Sequence, residues 1–285
     1  MTIAEVLEAT TIEGLDLGRL VRVAPDTSVV DTVNAMRAAE LSCACVLDGD
    51  HIVGLFTQRD ILQRVIGRDR KWDGPISNEM TTSLKTAGPE ASLTDALDIM
   101  TTWWVRNLPV LDDAGTFLGN LSFSVVVETM TALLAQRFET EAVAEDLIRE
   151  GLEFVDFTGI NLRPPVVVSA DDPVEIGVNY LRNRGLEQVM VADDRGHLIG
   201  TLTEFALQQR LGCDIVDLTT IPTREIMVDH PHTMPVRSPI GDAVKLLGAD
   251  QISNVALVGE TGRPVGVASF RQIANYVEST LEVDY

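Results

Sequence analysis

The sequence predicts an α/β (α+β) chain of four repeats, arranged as two tandem pairs joined by a helical linker, and three observations carry that expectation. A Gly standing three residues before a hydroxyl closes a hairpin-like stretch in four places, as GLFT at 54–57, GNLS at 119–122, GTLT at 200–203 and GVAS at 266–269. Ahead of each lie an apolar run and a turn signal (DGD, DDAG, DDRG or GETG), which together read as a β-hairpin. Further upstream, Ser28, Ser92, Pro173 and Pro239 each open an apolar pattern at helical spacing. They stand 29, 30, 30 and 30 residues before the motif hydroxyl. Such regularity defines one repeating unit: helix, strand, turn, strand, then a second helix starting at the hydroxyl.

Taken in order, residues 1–20 form an N-terminal segment and repeat 1 occupies 21–68, with its helix in TSVVDTVNAM and its hairpin in CACVL and GLFT. Repeat 2 occupies 78–130, with ASLTDALDIM, NLPVL and GNLS. A linker follows at 131–158, Pro-free and apolar at helical spacing, which reads as one or two helices. Repeats 3 and 4 occupy 163–211 and 225–280, with helices in DPVEIGVNYL and SPIGDAVKLL. The four hydroxyls are 65, 81 and 66 residues apart, so repeat 1 pairs with 2, and 3 with 4. Met80 and Met227 mark the second member of each pair, 12 residues before Ser92 and Pro239. Each pair is expected to pack about a pseudo-twofold axis with sheets side by side, because a lone unit of about 60 residues buries too little.

Charge narrows the function. With 43 acidic residues against 22 basic ones, the net charge of −21 repels nucleic-acid phosphates and anionic lipid, so neither nucleic acid nor a membrane is an expected partner. No apolar run reaches the length of a bilayer span, and MTIAEVLEAT lacks the basic start of a secretory signal. Three cysteines are too few for a disulfide framework, and a cytoplasmic protein is expected. No nucleophile elbow, P-loop, metalloprotease or dinucleotide fingerprint occurs, and the repeats use up almost all of the chain, so no enzyme is expected.

The repeats resemble the CBS (cystathionine β-synthase) domain family, as four copies in two tandem Bateman pairs. VRVAPDTS, LSCACVLD and GLFTQRD carry the likeness in repeat 1, VRNLPVLD and GNLSFSV in repeat 2, LEQVMVAD and GTLTEFA in repeat 3, ISNVALVG and GVASFRQ in repeat 4. The likeness runs from about Leu20 to Tyr276 and adds an opening strand, giving β-α-β-β-α. It implies a regulatory module that binds an adenine nucleotide (AMP, ADP or ATP) or another adenosyl ligand between paired domains. The Asp of a T-x-x-D motif would hold the ribose hydroxyls, and the Thr or Ser with nearby basic residues the phosphate. No metal is expected. A protein target, unidentified, and a homodimer are the macromolecular partners left open.

Only repeat 1 keeps the whole T-x-x-D, as Thr57 and Asp60; the Asp position holds Val125, Ala206 and Gln272 in the others, and of these Gln272 offers a ribose a neutral amide. Two chemistries fit Thr57 and Asp60. They can cap a helix, or they can hold a phosphate and a ribose diol. Under the second, Gln58 and Arg59 belong to the site, Arg22 is a further phosphate ligand, and Ser42 matches the family's base-contacting segment, with Ser253 as its counterpart in repeat 4. Ser122, Thr203 and Ser269 are the corresponding hydroxyls elsewhere. As a ligand group Asp60 is expected to make Asp60→Asn costly to binding and cheap in stability, since an N3 acid contributes about 0.3–1 kcal/mol through the helix dipole; as a cap alone, the two outcomes exchange places.

Other candidates are weaker. Cys43 and Cys45 share one strand face with no second pair, and read as small buried apolar residues. His230 and His232, beside Asp229, lack a third ligand. Trp103 and Trp104 are expected in a core or interface, with stacking on an adenine as the alternative. The chain therefore reads as a nucleotide sensor that modulates a partner, or alternatively as an interaction scaffold with degenerate sites.

Overall fold

The computed structural model describes residues 8–68, 72–126, 129, 156–159, 162, 164–184, 186, 188–211, 213, 217–240, 242–243, 246 and 254–269. The chain divides into two compact units. Met1–Val125, Asp171–Gln188 and Leu202–Met227 form the first; Val126–Ala170, Val189–Thr201 and Val228–Tyr285 form the second.

In the first unit, β1 (Val21–Val23) runs parallel to β2 (Cys43–Asp48), and α1 (Val29–Ala39) makes the crossover that parallel pairing requires. Ser28 starts α1 by accepting the Asp31 N–H, and the helix stops where Glu40 turns left-handed. Val29, Val33 and Met36, spaced by one and two turns, form its buried stripe. β2 turns through Gly49 into antiparallel β3 (His51–Thr57), and α2 (Gln58–Asp60) follows at once, widening into a π-turn over Ile61–Val65. Repeat 2 supplies α3 (Leu93–Trp103) and the hairpin β4 (Asn107–Leu111) and β5 (Phe117–Ser122). Its opening strand shrinks to one parallel bridge, Ala87 with Val110.

Repeats 1 and 2 pair through their sheets, as the spacing predicts. Phe117 donates its N–H to the Asp50 carbonyl at 2.9 Å. Cys43, Cys45, Leu55 and Phe117 share a buried cluster, in which the Cys43 thiol is pushed up by its hydrogen bond with Cys45 and by burial. The segment leading into repeat 2 also joins the edge of β3: Leu55 and Thr81 exchange N–H···O bonds of 2.9 and 2.8 Å. Met80 comes along with it. A Cβ at Gly54 would stand 2.3 Å from the Met80 sulfur, and one at Gly119 would meet Leu17 at 2.5 Å. The motif glycine is thus a clearance for a crossing side chain from the neighbouring repeat.

A contact that spacing did not predict joins repeat 1 to the helices of repeat 3, α4 (Val174–Arg184) and α5 (Glu204–Arg210). Arg182 donates to the Leu62 carbonyl at 2.7 Å and also to that of Ile66. Gln63 donates to the Arg182 carbonyl, Arg37 to that of Gln209 and Gln208 to that of Leu41. Trp103 and Trp104 are not in the core of this chain, being 56% and 68% exposed, which leaves the interface part of the expectation. Leu93, Ala96, Leu97 and Met100 already occupy the buried stripe of α3, and Trp104 is the left-handed residue that ends it; the Trp103 ring instead faces the Lys85 ammonium.

The second unit is built on two sheets. One has β6 (Val167–Ser169), β7 (Gln188–Ala192), β8 (Leu198–Thr203) and β9 (Val228–Asp229) in that order. Its Thr201–Val228 pairing repeats the Leu55–Thr81 exchange, residue after Met227 for residue after Met80. The other has β10 (Thr233–Pro235), β11 (Asn254–Val258) and β12 (Pro264–Ser269), parallel and then antiparallel. The linker expected at 131–158 lies outside the described residues apart from 156–158, as does the second helix of repeat 4. No described helix is long and apolar enough to cross a membrane.

The hairpin turns repeat one device. Asp112 accepts the N–H groups of Thr116 and Ala114, and Asp193 those of His197 and Arg195. The bond from Thr116 foremost holds the Asp112 carboxyl below its ordinary range, and the bond from His197 does so for Asp193. A depressed folded-state value stabilises the fold above the unfolded carboxylate range, near pH 3.9, and that stabilisation disappears as pH falls through the lower folded values. Urea midpoints measured from pH 6 to pH 2.5 should therefore drop below about pH 4. The Asp112→Asn, Asp193→Asn double variant should show a shallower drop; an unchanged slope would contradict the assignment.

Candidate ligand site

β3 ends at Thr57 in an extended conformation, and the next residue begins α2, so Thr57 is the N-cap and Asp60 is N3. The Asp60 carboxylate, 7% exposed, is fully engaged. Its Oδ2 accepts the Thr57 N–H at 2.9 Å and the Thr57 hydroxyl at 2.8 Å. Its Oδ1 accepts the Thr81 hydroxyl of repeat 2 at 3.2 Å and meets the Arg64 guanidinium at 3.4 Å. One oxygen thus serves the cap and the other faces the seam between two repeats.

Gln58 donates its backbone N–H to the Ser42 carbonyl at 2.9 Å, which ties the start of β2 to the turn that carries Thr57 and Asp60. The Gln58 side chain is buried, and its Nε2 has no hydrogen-bond partner among the described residues. An unmade buried donor is uncommon, and among the described residues Gln58 Nε2 shares that state with atoms such as Asn120 Oδ1 and Gln188 Nε2.

Arg59 is present but committed elsewhere. Its Nη1 lies 3.0 Å from Glu204 Oε1, while Arg106 of repeat 2 places Nη2 3.1 Å from Glu204 Oε2. Glu204, 5% exposed at its side chain, is clamped by two cations that are each 42% exposed. The Arg22 guanidinium lies 5.7 Å from the Phe117 ring centroid, on the hairpin of repeat 2.

Elsewhere the hydroxyls cap. Ser122 accepts the Val125 N–H at 3.3 Å and bonds the Ser124 hydroxyl; Thr203 accepts the Ala206 N–H at 3.1 Å. Val125 and Ala206 bring no carboxylate. Ser269 ends β12, while Ser253 and Gln272 lie outside the described residues. Among the described residues, no cluster of three or more His, Cys, Asp or Glu side chains is placed to hold a metal.

Glu204, Arg106, Thr81 and Arg64 were missed by sequence reasoning. Glu204 carried a signal, since it directly follows the repeat 3 hydroxyl, where repeat 1 has Gln58. Arg64 stands one helical turn beyond Asp60, which was also readable.

A family model for the CBS domain matches four stretches, 17–67, 76–130, 158–211 and 224–279. The chain belongs to the CBS domain family. Curated CBS relatives include an uncharacterized 17.7 kDa protein of Acidianus ambivalens, 27% identical over 131 residues, which are 46% of this chain and 79% of that protein. The CBS domain-containing protein CBSCBSPB2 of Arabidopsis thaliana is 20% identical over 292 residues, covering 95% of this chain but only 54% of its own length. Among solved structures, MJ1225 of Methanocaldococcus jannaschii, described as a proposed archaeal homolog of g-AMPK, matches with a TM-score of 0.76 at 17% identity. The match covers 92% of this chain and 98% of that one. At that identity the likeness establishes the fold of the CBS chain.

The geometry revises one expectation. Asp60 is not a lone N3 acid, because three donors and a guanidinium depend on it. In Asp60→Asn an amide N–H₂ replaces one acceptor among donors, so the loss should reach about 1–3 kcal/mol. Glu204→Ala should lose a similar amount, about 1–3 kcal/mol, because the arginines it releases are half in water. Urea unfolding of both variants measures this, and a loss under about 0.5 kcal/mol in either would refute the bonding described.

Proposed function

We propose that this CBS protein is a non-enzymatic regulator that senses an adenine nucleotide (AMP, ADP or ATP) or another adenosyl ligand at the repeat 1 turn and passes its ligation state to a partner protein. The observation that carries the reading is the unmatched Gln58 Nε2, a buried donor at the one turn with a complete T-x-x-D. Asp60 Oδ1 is the oxygen fit for a ribose diol, since its bond to Thr81 and its ion pair with Arg64 are longer than the bonds of Oδ2. Because Thr81 belongs to repeat 2, a ligand exchanged onto that oxygen alters the seam of the pair. A partner that prefers one ligation state is then coupled to the ligand, reciprocally.

A second reading has its own support. Asp60 is satisfied internally, and the three other motifs lack the acid, as expected of a CBS scaffold with degenerate sites.

Calorimetric titration with AMP, ADP, ATP, NAD and S-adenosylmethionine separates the two. A sensor binds at least one of them, raising its melting temperature by mass action. Asp60→Asn should weaken that ligand at least tenfold. Asp95→Asn breaks an identical Ser92–Asp95 capping box at the start of α3. It should lower stability and leave affinity unchanged. Equal affinity in wild type and Asp60→Asn, or no binding by any of the five, would favour the scaffold.

A further inference from the structure

We infer that Glu204 is a specificity-determining residue: its carboxylate occupies the place where a phosphate would meet Arg59 and Arg106, so the site accepts adenosyl ligands with one phosphate or none and rejects polyphosphates. The ligand class rests on the sensor reading above, while the electrostatic argument concerns the arginine pair alone.

Guanidinium groups present the same planar fork to a carboxylate as to a phosphate. Glu204 already receives one N–H from each guanidinium, one oxygen at 3.0 Å from Arg59 Nη1 and the other at 3.1 Å from Arg106 Nη2. These cations come from different repeats, and each keeps part of its side chain in water, whereas the anion between them is buried. A phosphate arriving from solvent therefore reaches the arginines from their open side and must share them with a fixed negative charge or expel it. Expulsion leaves a buried carboxylate unpaired, which is expensive. Sharing sets like charges against each other in a partly desolvated place.

Either way the apparent affinity falls by the fraction of molecules whose arginines are free. The penalty grows with ligand charge. A triphosphate brings further negative charge beside Asp60, the residue next to Arg59, and toward a chain whose net charge is −21. A nucleoside meets none of this, and a monophosphate meets the least of it among the nucleotides. The contrast within the chain is direct: at the position after the motif hydroxyl, repeat 1 has neutral Gln58 and repeat 3 has Glu204.

The test uses the full chain at fixed ionic strength, with inorganic pyrophosphate as an adenine-free probe and adenosine, AMP and ATP beside it. Glu204→Gln keeps the shape and removes the charge. Pyrophosphate should bind it at least tenfold more tightly than wild type, and Arg106→Gln added to it should return affinity to the wild-type level. Among the adenosyl probes the gain should run ATP above AMP, with adenosine unchanged. Melting curves report whether each variant is folded. If Glu204→Gln does not fold, Glu204→Asp, which withdraws the carboxylate by one methylene, should show a smaller gain of the same sign. Unchanged or weaker pyrophosphate binding in the folded variant overturns the assignment. A pyrophosphate gain with no adenosyl probe bound by either protein sinks the sensor reading and leaves Glu204 in its role. Adenosyl binding with no gain for pyrophosphate does the reverse.

Discussion

Leu55 and Thr81 exchange two backbone hydrogen bonds beside a glycine that has no side chain to hold Met80 away, and the pairing of repeats 1 and 2 depends on that contact. A unit this small cannot close a core alone. Its edge strand is finished by the segment leading into its mate, while Leu17, ahead of repeat 1, lies on Gly119 of repeat 2. From that exchange follow the shared cluster of Cys43, Cys45, Leu55 and Phe117 and the arrival of the Thr81 hydroxyl at Asp60. The site is a by-product of the way the pair is assembled.

Much of this was readable from the chain. The Gly-x-x-hydroxyl signature located every described hairpin end, because it reports a local event, a strand finishing where a helix is capped. Ser28 and Ser92 announced their helices for the same reason. Cys43 and Cys45 were legible as buried residues from strand alternation alone. What stayed hidden lies far apart in sequence. Arg59 and Glu204 are 145 residues distant, Arg106 and Glu204 98, and no local pattern says which cation meets which acid. An opening strand fixes where the Arg22 backbone lies, and only the structure shows its long side chain over Phe117 of another repeat. Hydrophobicity likewise did not say that Trp103 and Trp104 lie off the buried stripe of α3.

Under the sensor function proposed above, cap and ligand become a division of labour between the two Asp60 oxygens. Oδ2 is enclosed by the Thr57 backbone and hydroxyl, and a ligand there would cost the helix its start. Oδ1 looks across the seam to partners that hold it at longer range. A capping box and a binding group are therefore compatible in one carboxylate, provided the two oxygens face different neighbours. Ser92–Asp95 shows the box without the seam, since both Asp95 contacts are with its own N-cap residue.

The π-turn over Ile61–Val65 has a further consequence. Ile66 donates back to the Ile61 carbonyl, five residues away, which spreads this turn beyond an α-helical one and leaves the Leu62 and Ile66 carbonyls to Arg182 of repeat 3. These acceptors are main-chain atoms, so their chemistry is indifferent to which side chains occupy 61–66. The joint between repeats 1 and 3 is consequently sensitive to the number of residues in that turn, since the loss of one would rotate both carbonyls away from the guanidinium. The identity of the residues counts as well, because Ile61, Leu62, Val65 and Ile66 are buried and Gln63 bonds the Arg182 carbonyl.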